Sequence, residues 1–384
     1  MPSSQFCQGL CMAVLLSLAA DASAQTHRVY LGNYTRAPEG GIYSAAFDAQ
    51  TGKLGAATLA GPAVNASFLA IHPSRKYLFA VGEISDFDGK KTGGVSAYSI
   101  DAPSGQLTLL NSQSSAGAGP CHIVLDKAGT TAFVANYGGG SVASLPIGGD
   151  GRLAPAASAI QHVGSSVNSQ RQKEPHAHSI NLDPANAFVF AADLGLDKVL
   201  VYRFDAARHT LTPNTPDGAS VPPGSGPRHF AFHPTGKYAY VINELGNTVT
   251  AFSYDASVGK LSEIQTITTL PTDFQGTSHT AEVVVHPSGK FLYGSNRGHD
   301  TLANYMIDQN TGRLTAAGFT PIGGKTPRNF AVDPTGKWVL IGCQSTNNVT
   351  VFSVNQETGA LTPTGQSIDA PSPVCVRFLE LKPQ

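Results

Sequence analysis

The sequence predicts an all-β fold, a seven-bladed β-propeller with four antiparallel strands per blade and a last blade closed by both termini. Three observations predict it. A twelve-residue unit recurs without insertion or deletion: HPSRKYLFAVGE (72–83), DKAGTTAFVANY (126–137), DPANAFVFAADL (183–194), HPTGKYAYVINE (233–244), HPSGKFLYGSNR (286–297) and DPTGKWVLIGCQ (333–344). The copies start about fifty residues apart, the period of a propeller blade. The residues between copies read as further short strands joined by hairpin turns.

The fourth copy shows how each element follows. Arg228 to Phe232 alternates in polarity and predicts a first strand, A. His233-Pro234-Thr235-Gly236 is turn chemistry, because Pro presets φ and Gly accepts positive φ. Tyr238 to Asn243 is strand B, Thr248 to Tyr254 is C, and Leu261 to Ile267 is D. The chain ends in a seventh strand A, Ser372 to Phe378, with no B after it. The missing strands stand at the front: Arg28–Asn33 reads as B, Gly41–Phe47 as C and Lys53–Leu59 as D. Assembling one blade from both termini closes the ring and removes free sheet edges, so residues 25–384 form one domain.

Residues 1–24 are expected to be a signal peptide. The apolar run CMAVLLSLAA (11–20) is too short to cross a bilayer, and Ala22-Ser23-Ala24 is an A-x-A cleavage signal that makes Gln25 the mature N-terminus. The segment before Cys11 carries no Lys or Arg, a departure from the usual pattern. The expected location is periplasmic or secreted, or cytoplasmic if this segment is misread. A net charge of −1 with 13% charged residues gives no electrostatic case for nucleic acid or anionic membranes. The mature chain keeps Cys121, Cys343 and Cys375, an odd count without CxxC, read as buried free thiols. No metal or cofactor is expected.

Strand parity separates structural from chemical positions. If A descends from the top face, the HP and DP turns lie at the bottom, and His72, His233 and His286 are turn-capping residues. The top of strand B then carries two registers. One repeats Asn at Asn33, Asn136, Asn243 and Asn296, as a structural hydrogen-bonding role would. The next varies as Tyr34, Glu83, Tyr137, Leu194, Glu244, Arg297 and Gln344. A position that varies while its backbone context is fixed faces a ligand. The start of strand A supplies a second ring, including Cys121, His178, Arg228 and Arg328, followed one residue later by His122, His229, Glu282 and Asn329. Charges at a low-dielectric channel mouth are costly unless they pair or hold a polar ligand, and blade-locking ion pairs are the structural alternative.

With these residues in place the chain resembles the seven-bladed lactonases, which include the propeller-type 6-phosphogluconolactonases and the 3-carboxy-cis,cis-muconate lactonizing enzyme. The matching stretches are GPCH (119–122), ANYGGGS (135–141), PHAHS (175–179), GPRH (226–229), VINEL (241–245), SNR (295–297) and PRN (327–329). They run in order over nearly the whole mature chain, and their combination is specific where each alone is weak. The resemblance implies a catalytic His, two Arg and a Glu at the channel mouth. These fall on His176 or His178, Arg228, Glu244 and Arg297, with His178 preferred because it shares the register of Arg228.

A lactone hydrolase needs a base for water, positive charge for the oxyanion and an acid for the departing alkoxide. The expected roles are Glu244 as base, Arg228 and Arg297 for the oxyanion or a substrate carboxylate, and His178 as acid. His176, Arg328, Asn136, Tyr137, Gln344, His229 and Glu83 are the expected substrate contacts. No G-x-S-x-G elbow is present. The expected partner is a small lactone, and export favours an unphosphorylated aldonolactone over cytosolic 6-phosphogluconolactone. The alternatives are a muconate-type cycloisomerase and a non-catalytic propeller that binds ligands or proteins on its top face.

Overall fold

The computed structural model describes residues 27–35 and 40–381. Every regular element among them is a strand, arranged as seven separate antiparallel sheets. Six sheets are consecutive four-stranded meanders, and the seventh joins Pro373–Glu380 to His27–Asn33 and Gly41–Asp48. That junction runs in antiparallel register from His27 opposite Glu380 to Asn33 opposite Pro373. The expected closure by both termini is therefore present. The outer strand of this blade differs from the expected single element: it is two pieces, Lys53–Leu54 and Thr58–Pro62. The expected cleavage signal lies outside the described residues.

The core is a ring of cores between blades. Phe188, Phe190 and Val201 pack against Phe230, Val241 and Phe252 of the next blade, and Tyr240, Ile242 and Val249 pack in turn against Val283 and Leu292. Phe190 stacks on Phe230 with centroids 5.5 Å apart and planes 4° from parallel. Burying each such side chain stabilises the fold by roughly 1.5–3 kcal/mol, so each blade depends on both neighbours.

The conspicuous turn histidines join blades at the bottom face. His233 accepts the Thr235 N–H at Nδ1, so its Nε2–H donates to the Gly289 carbonyl of the following blade at 2.9 Å. His72 does the same to Gly129 and His286 to Gly336. Where the unit begins with Asp, the carboxylate instead caps its own turn, as Asp126 accepts the Thr130 and Thr131 amides. The fourth residue of all six units is left-handed: Arg75, Gly129, Asn186, Gly236, Gly289 and Gly336. The repeat is thus a structural device at its first position. His233→Ala is expected to lower the free energy of unfolding by about 1–2 kcal/mol, measured by denaturant titration, while kcat/KM stays within about twofold.

Candidate active site

At the opposite face a backbone irregularity sets the chemistry. In the fourth blade Pro227 pairs with Asn243 and His229 with Ile242, so Arg228 is an extra residue on its strand. The same register shift isolates His178 between Ala177 and Ser179, and Arg328 between Pro327 and Asn329. Cys121 is skipped likewise between Pro120 and His122. A β-bulge bends its strand and re-aims a side chain. Repeated in these four blades, it turns the start of the inner strand into the channel mouth.

Glu244, at the end of its strand and buried, is the focus. Its Oε1 accepts Arg171 Nη2 at 2.8 Å and its Oε2 accepts Arg228 Nε at 3.0 Å, while Arg297 Nη2, which donates to the Thr280 carbonyl, forms an ion pair with the same Oε2 at 2.9 Å. Burial alone would raise the Glu244 pKa, but the Arg297, Arg228 and Arg171 guanidiniums overcome it and hold the carboxyl down to about 2. A carboxylate so weakly basic, with both oxygens engaged, is poorly suited to take a proton from water. The geometry makes Glu244 the anchor of the three arginines and argues against the expected base role.

His178 is buried, with Nε2 3.7 Å from Glu244 Oε2 and Nδ1 3.5 Å from Cys121 Sγ. Burial and the Arg228 charge lower its pKa well below the usual imidazole value, so it is neutral near pH 7 and ill suited to act as an acid. His176 sits half-buried at the rim, stacked on Tyr137 at 4.5 Å, and its Nδ1–H donates to the Tyr137 carbonyl at 3.0 Å. That bond leaves its Nε2 as an acceptor. The Tyr137 hydroxyl accepts from Arg171 at 3.1 Å.

Across the mouth, Tyr34 donates to Glu83 at 2.7 Å and accepts from Arg328 Nη2 at 2.8 Å, while the Arg328 guanidinium lies over the Tyr34 ring. Burial pushes the Tyr34 phenol up, which keeps it protonated as the donor to Glu83. No carboxylate among the described residues pairs with Arg328. Gln344 is half-exposed at the rim. His229 lies one step below Arg228, its Nδ1 2.9 Å from Glu282 Oε1.

Asn136 does not belong to this surface. It is fully buried and donates to the Ser115 carbonyl at 3.0 Å and Ser141 Oγ at 3.1 Å, the structural task its repeated register implies. Arg171 is the site residue that the register reasoning missed. It comes from the 162–176 connection, which lies outside the twelve-residue repeat and is longer than the corresponding connections of the other blades. Its length was the available signal. Cys121, Cys343 and Cys375 are buried free thiols.

Two cavities bear on the site. A cavity of about 10 Å³ under the mouth is bounded by Tyr34, Ser67, Glu83, Arg228, His229 and Arg328. A larger cleft of about 340 Å³ opens beside His162, Lys198 and Tyr202 and contains none of the converging charges. Size alone favours the cleft. The charge arrangement favours the mouth, and chemistry follows charge.

Comparison with known proteins gives a consistent answer. The family described as lactonase, 7-bladed β-propeller, matches residues 28–378. A Bacillus subtilis protein named 6-phosphogluconolactonase is 37% identical over 350 residues, covering 91% of this chain and 97% of the relative. A Formosa agariphila protein of the same name is 33% identical, covering 87% and 94%. The structure of a Pseudomonas aeruginosa protein described as a periplasmic gluconolactonase superposes with a TM-score of 0.86 at 33% identity, covering 93% of this chain and 99% of that one.

The depressed Glu244 pKa is also a statement about stability. Its folded value of about 2 lies below the unfolded value, so its contribution is complete above about pH 4.5 and is lost as pH falls through 2. Glu244→Gln is expected to lower the unfolding free energy by about 3 kcal/mol at pH 7. Denaturant titrations should find that deficit shrinking between pH 4 and pH 2. An unchanged deficit at both ends would contradict the anchoring role.

Proposed function

We propose, on the premise that this chain belongs to the seven-bladed β-propeller lactonase family, that the arginine-lined channel mouth is where it opens its substrate. The chain is a sugar-lactone hydrolase: water adds to the lactone carbonyl, the ring C–O bond breaks, and an open-chain hydroxy acid leaves. The observation that carries the assignment of the mouth is the convergence of Arg171, Arg228 and Arg297 on one buried carboxylate, with Arg328 nearby and free of any acidic partner among the described residues. Lactone opening builds negative charge on the carbonyl oxygen. Guanidinium groups fixed in advance in a buried site stabilise that charge without reorganising.

Glu244 keeps the arginines from repelling one another and fixes their directions. The His176 Nε2, the Tyr137 hydroxyl, Gln344 and Glu83 offer the rim of hydrogen-bonding groups that sugar hydroxyls require. Export and an unphosphorylated aldonolactone are the finer reading, supported by the A-x-A signal after the apolar run at 11–20 and by the name of the Pseudomonas relative.

A pH-indicator assay over a lactone panel, corrected for spontaneous hydrolysis, tests this directly. Glucono-δ-lactone is expected to turn over faster than its 6-phosphate, and the exported protein is expected to begin at Gln25. Arg297→Met should lower kcat by roughly a hundredfold or more, and activity within tenfold of the parent would remove Arg297 from the oxyanion role.

A further inference from the structure

Beneath the arginine layer lies a second polar layer with no part in the reading above. His229, Glu282 and Asn329 come from the inner strands of three consecutive blades, each one residue below the mouth. The Asn329 carbonyl oxygen accepts the Val376 amide at 2.8 Å, which fixes the side-chain amide so that Nδ2 donates to Glu282 Oε2. The Val283 amide donates to Glu282 Oε1 at 3.0 Å. Burial raises the Glu282 pKa, and the Arg377 and Arg228 charges oppose that rise. With Glu282 ionised and both oxygens accepting N–H groups, the contact to His229 at 2.9 Å is a donation from Nδ1–H to Oε1, and the Nε2 of His229 carries the lone pair. Nε2 makes no hydrogen bond among the described residues, and His229 lines the 10 Å³ cavity together with Arg228 and Arg328.

The cavity has the size of one water and the polar wall a water needs. Ser67, buried on its edge, has a hydroxyl with no hydrogen-bond partner. The remaining groups around His229 are poorer candidates to move a proton. His122 uses Nδ1 to accept the Ile180 amide at 3.3 Å, and His178 hydrogen-bonds no carboxylate: its Nδ1 faces Cys121 Sγ, and its Nε2 stands 3.7 Å from a Glu244 oxygen already held by arginines. A histidine oriented by a carboxylate, with its second nitrogen open to a water site, is the arrangement of a general base.

We propose that His229, positioned by Glu282 and Asn329, is the base that activates a water held in this cavity; the proposal rests on the lactonase reading. The water oxygen bonds to the lactone carbonyl carbon, its proton passes to His229 Nε2, and the carbonyl π electrons move to the oxygen facing the guanidiniums. As the tetrahedral centre collapses, the C=O re-forms, the ring C–O bond breaks, and the proton on His229 moves to the departing ring oxygen. The Glu282 carboxylate stabilises the imidazolium that exists between the two transfers. His229 is neutral at rest because burial and the charges of Arg228, Arg328, Arg377 and Arg297 disfavour its protonation. The neutral rings of His122 and His178 face it at 5.2 and 5.6 Å.

The test is steady-state kinetics of wild type, His229→Gln and Glu282→Gln on glucono-δ-lactone from pH 4 to 8, with circular dichroism to establish folding. His229→Gln is expected to lose at least a hundredfold in kcat with KM within threefold, and Glu282→Gln about tenfold or more. Any acid limb of wild-type kcat should lie well below pH 6.5, the ordinary imidazole value, and its position is read even if a variant fails to fold. A folded His229→Gln that keeps a third of kcat, a change confined to KM, or an acid limb of wild-type kcat centred at or above pH 6.5 would overturn the assignment. Wild type inactive on every lactone would instead overturn the hydrolase reading beneath it.

Discussion

The cluster of one carboxylate and three guanidiniums at the channel mouth is the constraint on which the rest of the site depends. Removing a carboxylate from water costs several kcal/mol, and each guanidinium adds its own cost. Glu244 and Arg228 remain charged and buried because each meets the other in hydrogen-bonding geometry. No single blade can supply that geometry. Glu244 and Arg228 belong to one blade, Arg297 to the next, and Arg171 to the connection that enters the blade before. The cluster therefore exists only when neighbouring blades are docked, and its integrity reports on theirs.

Two features of the backbone make the docking accurate. The turn histidines bond carbonyls of the following blade on the bottom face, and the terminal strands pair over seven residues to close the ring. On the top face the repeated bulge places two consecutive inner-strand residues against the channel, where a regular strand would send them to opposite faces. Arg228 and His229 illustrate the consequence: one reaches the mouth cluster and the other lines the layer beneath. Binding above and proton transfer below are thus built from adjacent residues of one strand.

Most of the fold was legible because a gap-free repeat fixes register, and register fixes which end of a strand faces which side. The same logic found Arg228, Glu244, Arg297 and Arg328, since each occupies a variable slot in an otherwise constant frame. It could not read pairing. Whether the second oxygen of Glu244 faces water or a third cation depends on the Arg171 side chain, which enters from outside the repeat. Nor could it rank His178 against His229, because the difference is the carboxylate behind His229, supplied by another blade. Asn136 shows the reverse case: its recurring register already pointed to a structural task, and neighbouring variable residues drew it wrongly into the site. The split outer strand at Lys53–Leu54 and Thr58–Pro62 was invisible for a simpler reason, since an apolar run does not reveal where its pairing breaks.

The most direct test of the account is the structure of the protein bound to a hydrolytically inert aldonolactam, which keeps the ring and carbonyl of an aldonolactone. The lactam carbonyl oxygen is expected within hydrogen-bonding distance of Arg228 or Arg297 at the channel mouth, with the carbonyl carbon facing the cavity beside His229. Binding in the cleft beside His162 and Tyr202, or a carbonyl pointing away from the arginines, would contradict it.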